Sequence, residues 1–83
     1  MSVYQLQKML REINRRPPKR EAYFKSPAEF VQQYDLTDEE RRAVIEFDIG
    51  ALYSLGVHGL ILRPFTLLHK MAEPDYLNAI RGA

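Results

Sequence analysis

The sequence predicts an all-α fold, a small multihelical domain of about five short helices, and three observations support this. Apolar residues recur at three- and four-residue spacing, which is the period of one helix face. Serine or threonine followed three residues later by glutamate marks two helix N-termini. No stretch alternates apolar and polar residues in the manner of a half-buried strand.

The first helix is indicated by apolar residues repeating on one face between Val3 and Ile13. It is expected to end near Asn14, because Pro17 and Pro18 cannot continue it. The basic segment around these prolines is then expected to be a short, stiff linker. We therefore divide the chain into an N-terminal helix with its linker, residues 1–21, and a helical domain, residues 22–83.

Two segments are typical helix starts. Ser26-Pro27-Ala28-Glu29 places serine at the N-cap and proline at the first helical position, and it predicts a two-turn helix. Thr37-Asp38-Glu39-Glu40 repeats the capping pattern and begins a helix of about five turns. Gly56 fits the left-handed residue that follows the C-terminus of such a helix.

The C-terminal third is rich in apolar residues. Residues 60–68 carry six apolar side chains, too many for a solvent-facing helix, so part of the segment is expected in the core or at an interface. Pro64 removes an N–H group that would bond the carbonyl of Leu60, which predicts a kink or a helix start there. Glu73-Pro74-Asp75 begins a last helix that stops at Gly82 and turns three residues inward: Tyr76, Leu77 and Ile80.

The charge is segregated along the chain, although the net charge is only +1. Residues 1–26 carry a net +5, residues 27–56 a net −5, and the remainder +1. The basic segment could fold back on the acidic helix, or it could dock on an acidic partner. We expect no nucleic-acid binding, because domains with that function are usually clearly basic.

Size and composition predict a cytoplasmic protein that binds another protein chain. The chain has no cysteine, no segment resembling a signal peptide and no apolar run long enough for a membrane span, so we expect a cytoplasmic, soluble protein without membrane contact. A chain of 83 residues without disulfides is only marginally stable. We therefore expect burial against a partner chain, with homo-oligomers as the alternative for the isolated protein.

The inventory of reactive side chains is poor. The two histidines, His58 and His69, would lie about 16 Å apart on one helix, too far to share a metal ion. Without cysteine, and with isolated histidines, no Ser/His/Asp or Cys/His set is credible. No phosphate-binding loop motif occurs. We expect no complete catalytic or metal site on this chain.

Three polar residues leave alternatives open. His58, next to Gly59, either bonds the backbone at a helix boundary or contacts a substrate or partner. Asp48 is either a solvated charge or the partner of an arginine within the chain, or it forms a salt bridge across an interface. Tyr53 either places its hydroxyl in a pocket or lies at the core boundary.

The stretch LTDEERRAVIEFDIGALYSLGVHGLIL, residues 36–62, followed by PFTLLHKM and PDYLNAIRG, resembles a known family. It is similar to the small alpha subunit (LigA-like domain) of extradiol ring-opening dioxygenases of the protocatechuate 4,5-dioxygenase type. The resemblance covers residues 22–82. Its most specific parts are the L-T-x-E-E-R helix start, Asp48 with the A-L-Y-x-L-G that follows, and the G-V-H turn carrying His58.

The resemblance implies an all-helical alpha chain that packs on a larger beta chain and helps to cover its active-site cleft. The beta chain of such an enzyme holds the non-haem Fe(II) and the catalytic base. We therefore expect a non-catalytic small subunit, or a detached homologue of one, with no cofactor of its own and with Fe(II) on a partner chain. The candidate substrate- or partner-facing residues are His58, Tyr53, Asp48 and Phe65.

A second resemblance supplies the alternative function. Some precursor peptides of ribosomally made natural products carry a helical recognition domain with a similar L-T-D-E-x-x-x-A-V…D helix, which docks on an alpha-N-methyltransferase. In that case the chain would be a stand-alone recognition domain. Its C-terminus, YLNAIRGA, looks like a helix end rather than a hydrophobic core peptide, so this alternative ranks lower.

Overall fold

The computed structural model describes residues 2–82, and in this range it contains seven helices and no strand. The predicted all-α class is confirmed, although two more helices are present than expected. The additional helices arise because the expected linker is helical and the expected five-turn helix is divided. In chain order the helices are α1 (Ser2–Arg15), α2 (Pro17–Lys25), α3 (Pro27–Val31), α4 (Asp38–Ile45), α5 (Ile49–Ser54), α6 (Gly59–Leu68) and α7 (Glu73–Arg81).

The core is built where α1 packs on α6. The inward face of α1 is fully buried through Leu6, Met9, Leu10 and Ile13, at the spacing that the sequence predicts. Helix α6 also packs on α5, and α7 packs on α5. Buried side chains from all seven helices and from the connecting segments form one continuous cluster.

The segment expected to be a linker is helix α2. Arg16 alone is extended, with φ −114° and ψ 107°, as the residue before a proline prefers. The two prolines then take the first positions of the new helix, where a missing N–H costs nothing. The Arg20 side chain stabilises the bend between α1 and α2 by donating hydrogen bonds to the carbonyls of Ile13 at 3.2 Å and Asn14 at 2.7 Å. The predicted division between residues 21 and 22 lies inside α2.

The five-turn helix expected from Thr37 to Gly56 is instead two helices. Phe47 adopts a left-handed conformation with φ 54°, which ends α4. The N–H groups of Asp48 and Phe47 donate back to the carbonyls of Ala43 and Val44, at 2.8 and 3.2 Å. This pattern is a Schellman motif. The prediction of one continuous helix was wrong, because nothing in the neighbouring sequence indicates that Phe47 adopts a left-handed conformation.

The same motif ends two more helices. Gly56, with φ 105°, ends α5 as predicted, and Val57 donates to the carbonyl of Leu52 at 3.1 Å. Lys70, with φ 60°, ends α6, and Met71 donates to the carbonyl of Thr66 at 3.0 Å. Three consecutive helices are thus closed by backbone bonds that satisfy their last carbonyls.

The two predicted N-caps differ. Thr37 forms the predicted capping box: its Oγ1 accepts from the N–H of Glu40 at 3.1 Å, and its own N–H donates to the Glu40 carboxylate at 2.8 Å. Ser26 occupies the N-cap position of α3, but its side chain makes no capping bond. Helix α3 is also shorter than the two turns expected.

The C-terminal helices correct one further expectation. Helix α6 begins at Gly59 and runs through Pro64, so the proline does not start the helix. Helix α7 begins as predicted and buries Tyr76, whereas Gly82 follows it with a right-handed φ of −81°. The longest described helix has 14 residues, and within residues 2–82 no helix has the length and hydropathy needed to cross a bilayer.

Replacement of Thr37 by alanine is expected to lower the free energy of unfolding by about 1 kcal/mol, since it removes the cap of α4. Ser26→Ala is the matched control, and it is expected to change stability by less than about 0.5 kcal/mol because no capping bond is lost. Urea denaturation followed by circular dichroism measures both variants. Equal losses would contradict the assignment of the caps.

Candidate functional site

His58 is the N-cap of α6. Its Nδ1 accepts from the N–H of Leu60 at 3.1 Å, and its backbone N–H donates to the side chain of Gln7 on α1 at 2.9 Å. The residue is exposed. His58 therefore bonds the backbone, as one of the two hypotheses held, and it stands at the surface where α1 meets the beginning of α6.

Asp48 is the N-cap of α5 and the partner of an arginine in the same chain. Its carboxylate accepts from the N–H of Ala51 at 3.1 Å and pairs with Arg42 at 3.2 Å. The Ala51 N–H, and after it the Arg42 guanidinium, lower the pKa of Asp48 below its usual value. A salt bridge from Asp48 across an interface stays a prediction.

Tyr53 and Phe65 lie in opposite environments. Tyr53 is 46% exposed on α5, so its ring is available to a partner. Phe65 is fully buried and lies in the core, because its position on α6 faces the aromatic rings of Phe47 and Tyr23 at 5.8 and 5.6 Å. In this structure Phe65 is thus a core residue, and the expectation that it faces a substrate or partner is corrected.

The outward face of α6 is apolar. Leu60, Pro64 and Leu67 follow one another at four- and three-residue spacing and are all exposed, with Leu60 82% and Leu67 55% exposed. We call these three residues the α6 stripe. The density of apolar residues in the sequence predicted a core or interface segment here. Periodicity alone did not show which residues would face outward, because nearly every position was apolar.

A basic stripe lies on α1 beside the α6 stripe. Lys8, Arg11 and Arg15 repeat at helical spacing and are exposed, and we call them the α1 stripe. A groove of about 430 Å³ lies between Arg11 and Arg15 of the α1 stripe and Leu60, the first residue of the α6 stripe. It is lined by Gln7, Arg11, Arg15, His58, Leu60 and Ile61.

The basic stripe does not fold back on the acidic helix. Among the described residues, the ion pairs join Arg41 to Asp38, and Arg42 to Glu46 and Asp48. All of them lie within the acidic segment, so the first of the two predicted arrangements of the basic segment is not observed.

A second open cleft, of about 670 Å³, lies between the junction of α4 with α5 and the end of α7. Its walls are mostly small side chains, among them Gly50, Ala51 and Ala79, and its charged group is Asp48. That carboxylate already accepts from Ala51 and pairs with Arg42. The charged group of the cleft is therefore already bonded within the fold.

His69 is the polar centre of an aromatic cluster that sequence reasoning missed. Its ring stacks on Phe47 with centroids 3.9 Å apart and touches the edge of Phe65 at 5.0 Å. The Tyr23 hydroxyl is hydrogen-bonded to His69 Nε2 at 2.9 Å, and burial raises the pKa of this hydroxyl. Burial also lowers the pKa of His69. The sequence does not mark this cluster, because Tyr23 and Phe47 lie 46 and 22 positions from His69.

The donors present do not fit an iron site. Within residues 2–82 no three histidine, cysteine, aspartate or glutamate side chains are grouped so that they could hold a metal ion. His58 uses Nδ1 to cap α6, and His69 Nε2 is hydrogen-bonded to the Tyr23 hydroxyl. The polar side chains at this surface therefore hold helix ends in place.

The histidine in the aromatic cluster is expected to make stability depend on pH. Because the pKa of His69 is lower in the folded chain than the usual 6.5, the unfolded chain takes up the proton first as the pH falls. The free energy of unfolding is therefore expected to be highest above about pH 6.5 and to decrease as the pH falls below this value. Urea denaturation between about pH 5 and 7.5 should show this loss, above the range in which carboxylates titrate.

His69→Phe is expected to abolish this pH dependence while keeping the stacked ring. His58→Gln is the matched control, since His58 is exposed, and this variant should keep the dependence on pH. An unchanged pH profile in His69→Phe would contradict the assignment.

The comparisons with known proteins agree with the resemblance seen in the sequence. No curated protein and no solved structure gives a match. The family model described as the LigA subunit of the aromatic-ring-opening dioxygenase LigAB matches residues 6–83, which includes α1 as well as the segment that carries the resemblance. This chain belongs to the family of LigA subunits of aromatic-ring-opening dioxygenases.

Proposed function

We propose that this chain is the non-catalytic small subunit, or a detached homologue, of an Fe(II)-dependent extradiol dioxygenase, and that it docks on a larger catalytic chain through the α6 stripe. The observation that carries the proposal is the exposure of Leu60, an apolar side chain 82% open to solvent, beside two further exposed apolar residues. Contiguous exposed apolar surface of this kind marks interaction sites. Burial of Leu60 alone is worth roughly 2 kcal/mol.

In this proposal the role of the chain in the assembly is structural: it covers part of the active-site cleft of its partner. The beginning of α6, with His58 and Leu60, would lie against the edge of the partner's active-site cleft and exclude water from it. Tyr53 and Asp48 would lie nearer the margin of the contact. The iron on the partner chain would supply the oxygen chemistry, since the donors within residues 2–82 do not form a metal-binding group.

The packing of α7 supports the subunit role over the alternative of a recognition domain that carries a C-terminal cargo peptide. Tyr76 is only 8% exposed, and the Arg63 guanidinium lies over its ring at 5.1 Å. Helix α7 packs on α5, so it is part of the fold.

Leu60→Gln and Leu67→Gln are each expected to weaken binding to the catalytic chain about tenfold, the effect of losing an apolar anchor worth more than 1 kcal/mol. Ile45→Gln is the matched control, because Ile45 is 44% exposed on α4, outside the stripe, and should leave binding unchanged. The tagged chain is purified from its source cells, and a co-purifying larger chain with Fe(II)-dependent ring-cleaving activity is titrated with each variant by calorimetry.

The proposal is wrong if no such chain co-purifies, or if adding the small chain leaves the turnover of the larger one unchanged. Equal weakening by Ile45→Gln would place the contact elsewhere than on the α6 stripe.

Deletion of residues 74–83 is expected to destabilise the fold by several kcal/mol, since it removes Tyr76 and leaves a cavity. The loss should appear as a broad, early thermal transition in circular dichroism. Full stability of the shortened chain would favour the recognition-domain alternative.

A further inference from the structure

We infer that the α1 stripe and the α6 stripe form one composite docking surface, and that its occupant is an acidic amphipathic segment of the larger catalytic chain. This rests on the proposed function for the identity of the partner. The chemistry of the segment follows from the surface itself: carboxylates opposite Arg11 and Arg15, and apolar side chains against Leu60 and Ile61.

The α1 stripe and the beginning of the α6 stripe form a single surface, because their helices pack on each other and Leu60 lines the same groove as Arg11 and Arg15. The groove between them has Arg11 and Arg15 on one wall and Leu60 with Ile61 on the other. His58 links the two walls, since its backbone N–H donates a hydrogen bond to the Gln7 side chain on α1. A segment lying in this groove touches both a basic and an apolar side at once.

The side chains of Arg11 and Arg15 in the α1 stripe are exposed to solvent. The acidic residue of α1, Glu12, accepts a hydrogen bond from the Tyr34 hydroxyl, which lowers the pKa of its carboxyl. No salt bridge joins Arg11 or Arg15 to another described residue. Arginine is suited to bidentate contact with carboxylates, and the two arginines lie one helical turn apart, about 6 Å. Two carboxylates one turn apart on a partner helix would match them.

A second copy of this chain is a poorer occupant. Its acidic helix pairs Asp38, Glu46 and Asp48 with its own arginines, which leaves Glu39 as the exposed carboxylate of α4 without an ion pair among the described residues. Glu40 is 2% exposed and is bonded to Thr37. Nucleic acid is also a poorer fit, because phosphate contacts would leave Leu60 and Leu67 uncovered.

A synthetic helical peptide of glutamate and leucine tests the surface without the catalytic chain. Titrated into the ¹⁵N-labelled full chain, it is expected to shift the amide signals of residues 7–15 and 58–61. A peptide with lysine in place of glutamate should leave them unchanged. The double variant Arg11→Glu, Arg15→Glu should bind the acidic peptide at least about tenfold more weakly.

Lys25→Glu with Arg81→Glu is the matched control, because it changes the charge equally at two exposed positions that do not line the groove. It should bind within about twofold of the original chain. The inference is overturned if both peptides bind equally, if the shifts lie elsewhere, or if the control weakens binding as much.

The same variants separate this inference from the proposed function. If the catalytic chain binds the Arg11→Glu, Arg15→Glu variant as tightly as the original chain, the inference of an acidic segment in the groove is wrong, whereas the proposed subunit role is unaffected. Analytical ultracentrifugation of the free chain completes the test. If the free chain is a dimer, and if Arg11→Glu with Arg15→Glu converts it to a monomer, a second copy is the occupant and the assignment is overturned.

Discussion

The packing of α1 against α6 is the interaction on which the rest of the structure depends. Helix α1 carries four fully buried apolar residues, and it is the one helix longer than ten residues. Helix α6 meets α1 and α5, and its inward residues Leu62 and Phe65 are fully buried. Because α6 uses its inward side for this packing, Leu60, Pro64 and Leu67 are left facing outward. The core and the proposed docking surface are thus two faces of one helix.

Short helices impose the second constraint, since each helix end leaves backbone groups that need partners. The chain meets this need with polar side chains at the starts of α4, α5 and α6, namely Thr37, Asp48 and His58. It closes the ends of the same helices with left-handed residues and backward hydrogen bonds. Two of the polar residues that stand out in the sequence, Asp48 and His58, are therefore occupied with local structure. A family role as a small subunit is consistent with this use of polar groups.

The left-handed conformation of Phe47 shows how tertiary contacts stabilise an unfavourable local choice. A left-handed residue other than glycine costs about 1–2 kcal/mol. Phe47 stacks on His69 at 3.9 Å, and His69 is held by the Tyr23 hydroxyl from α2. These contacts join the α4–α5 junction, the end of α6 and α2 around one ring. They offset the local cost and bring Asp48 to the start of α5.

The sequence by itself determined the helical class, the capping box at Thr37 and the left-handed Gly56, because these depend on interactions within four or five residues. It also determined that the 60–68 segment had more apolar side chains than one solvent-facing helix can hide. Only the tertiary structure decided that Pro17 begins a helix, that Phe47 divides one, and that Phe65 is buried while Leu60 is exposed. The last two outcomes depend on contacts between residues distant in the sequence, such as Phe47 with His69, Asn14 with Ile61 and Tyr23 with His69. Local periodicity carries no information about such pairs.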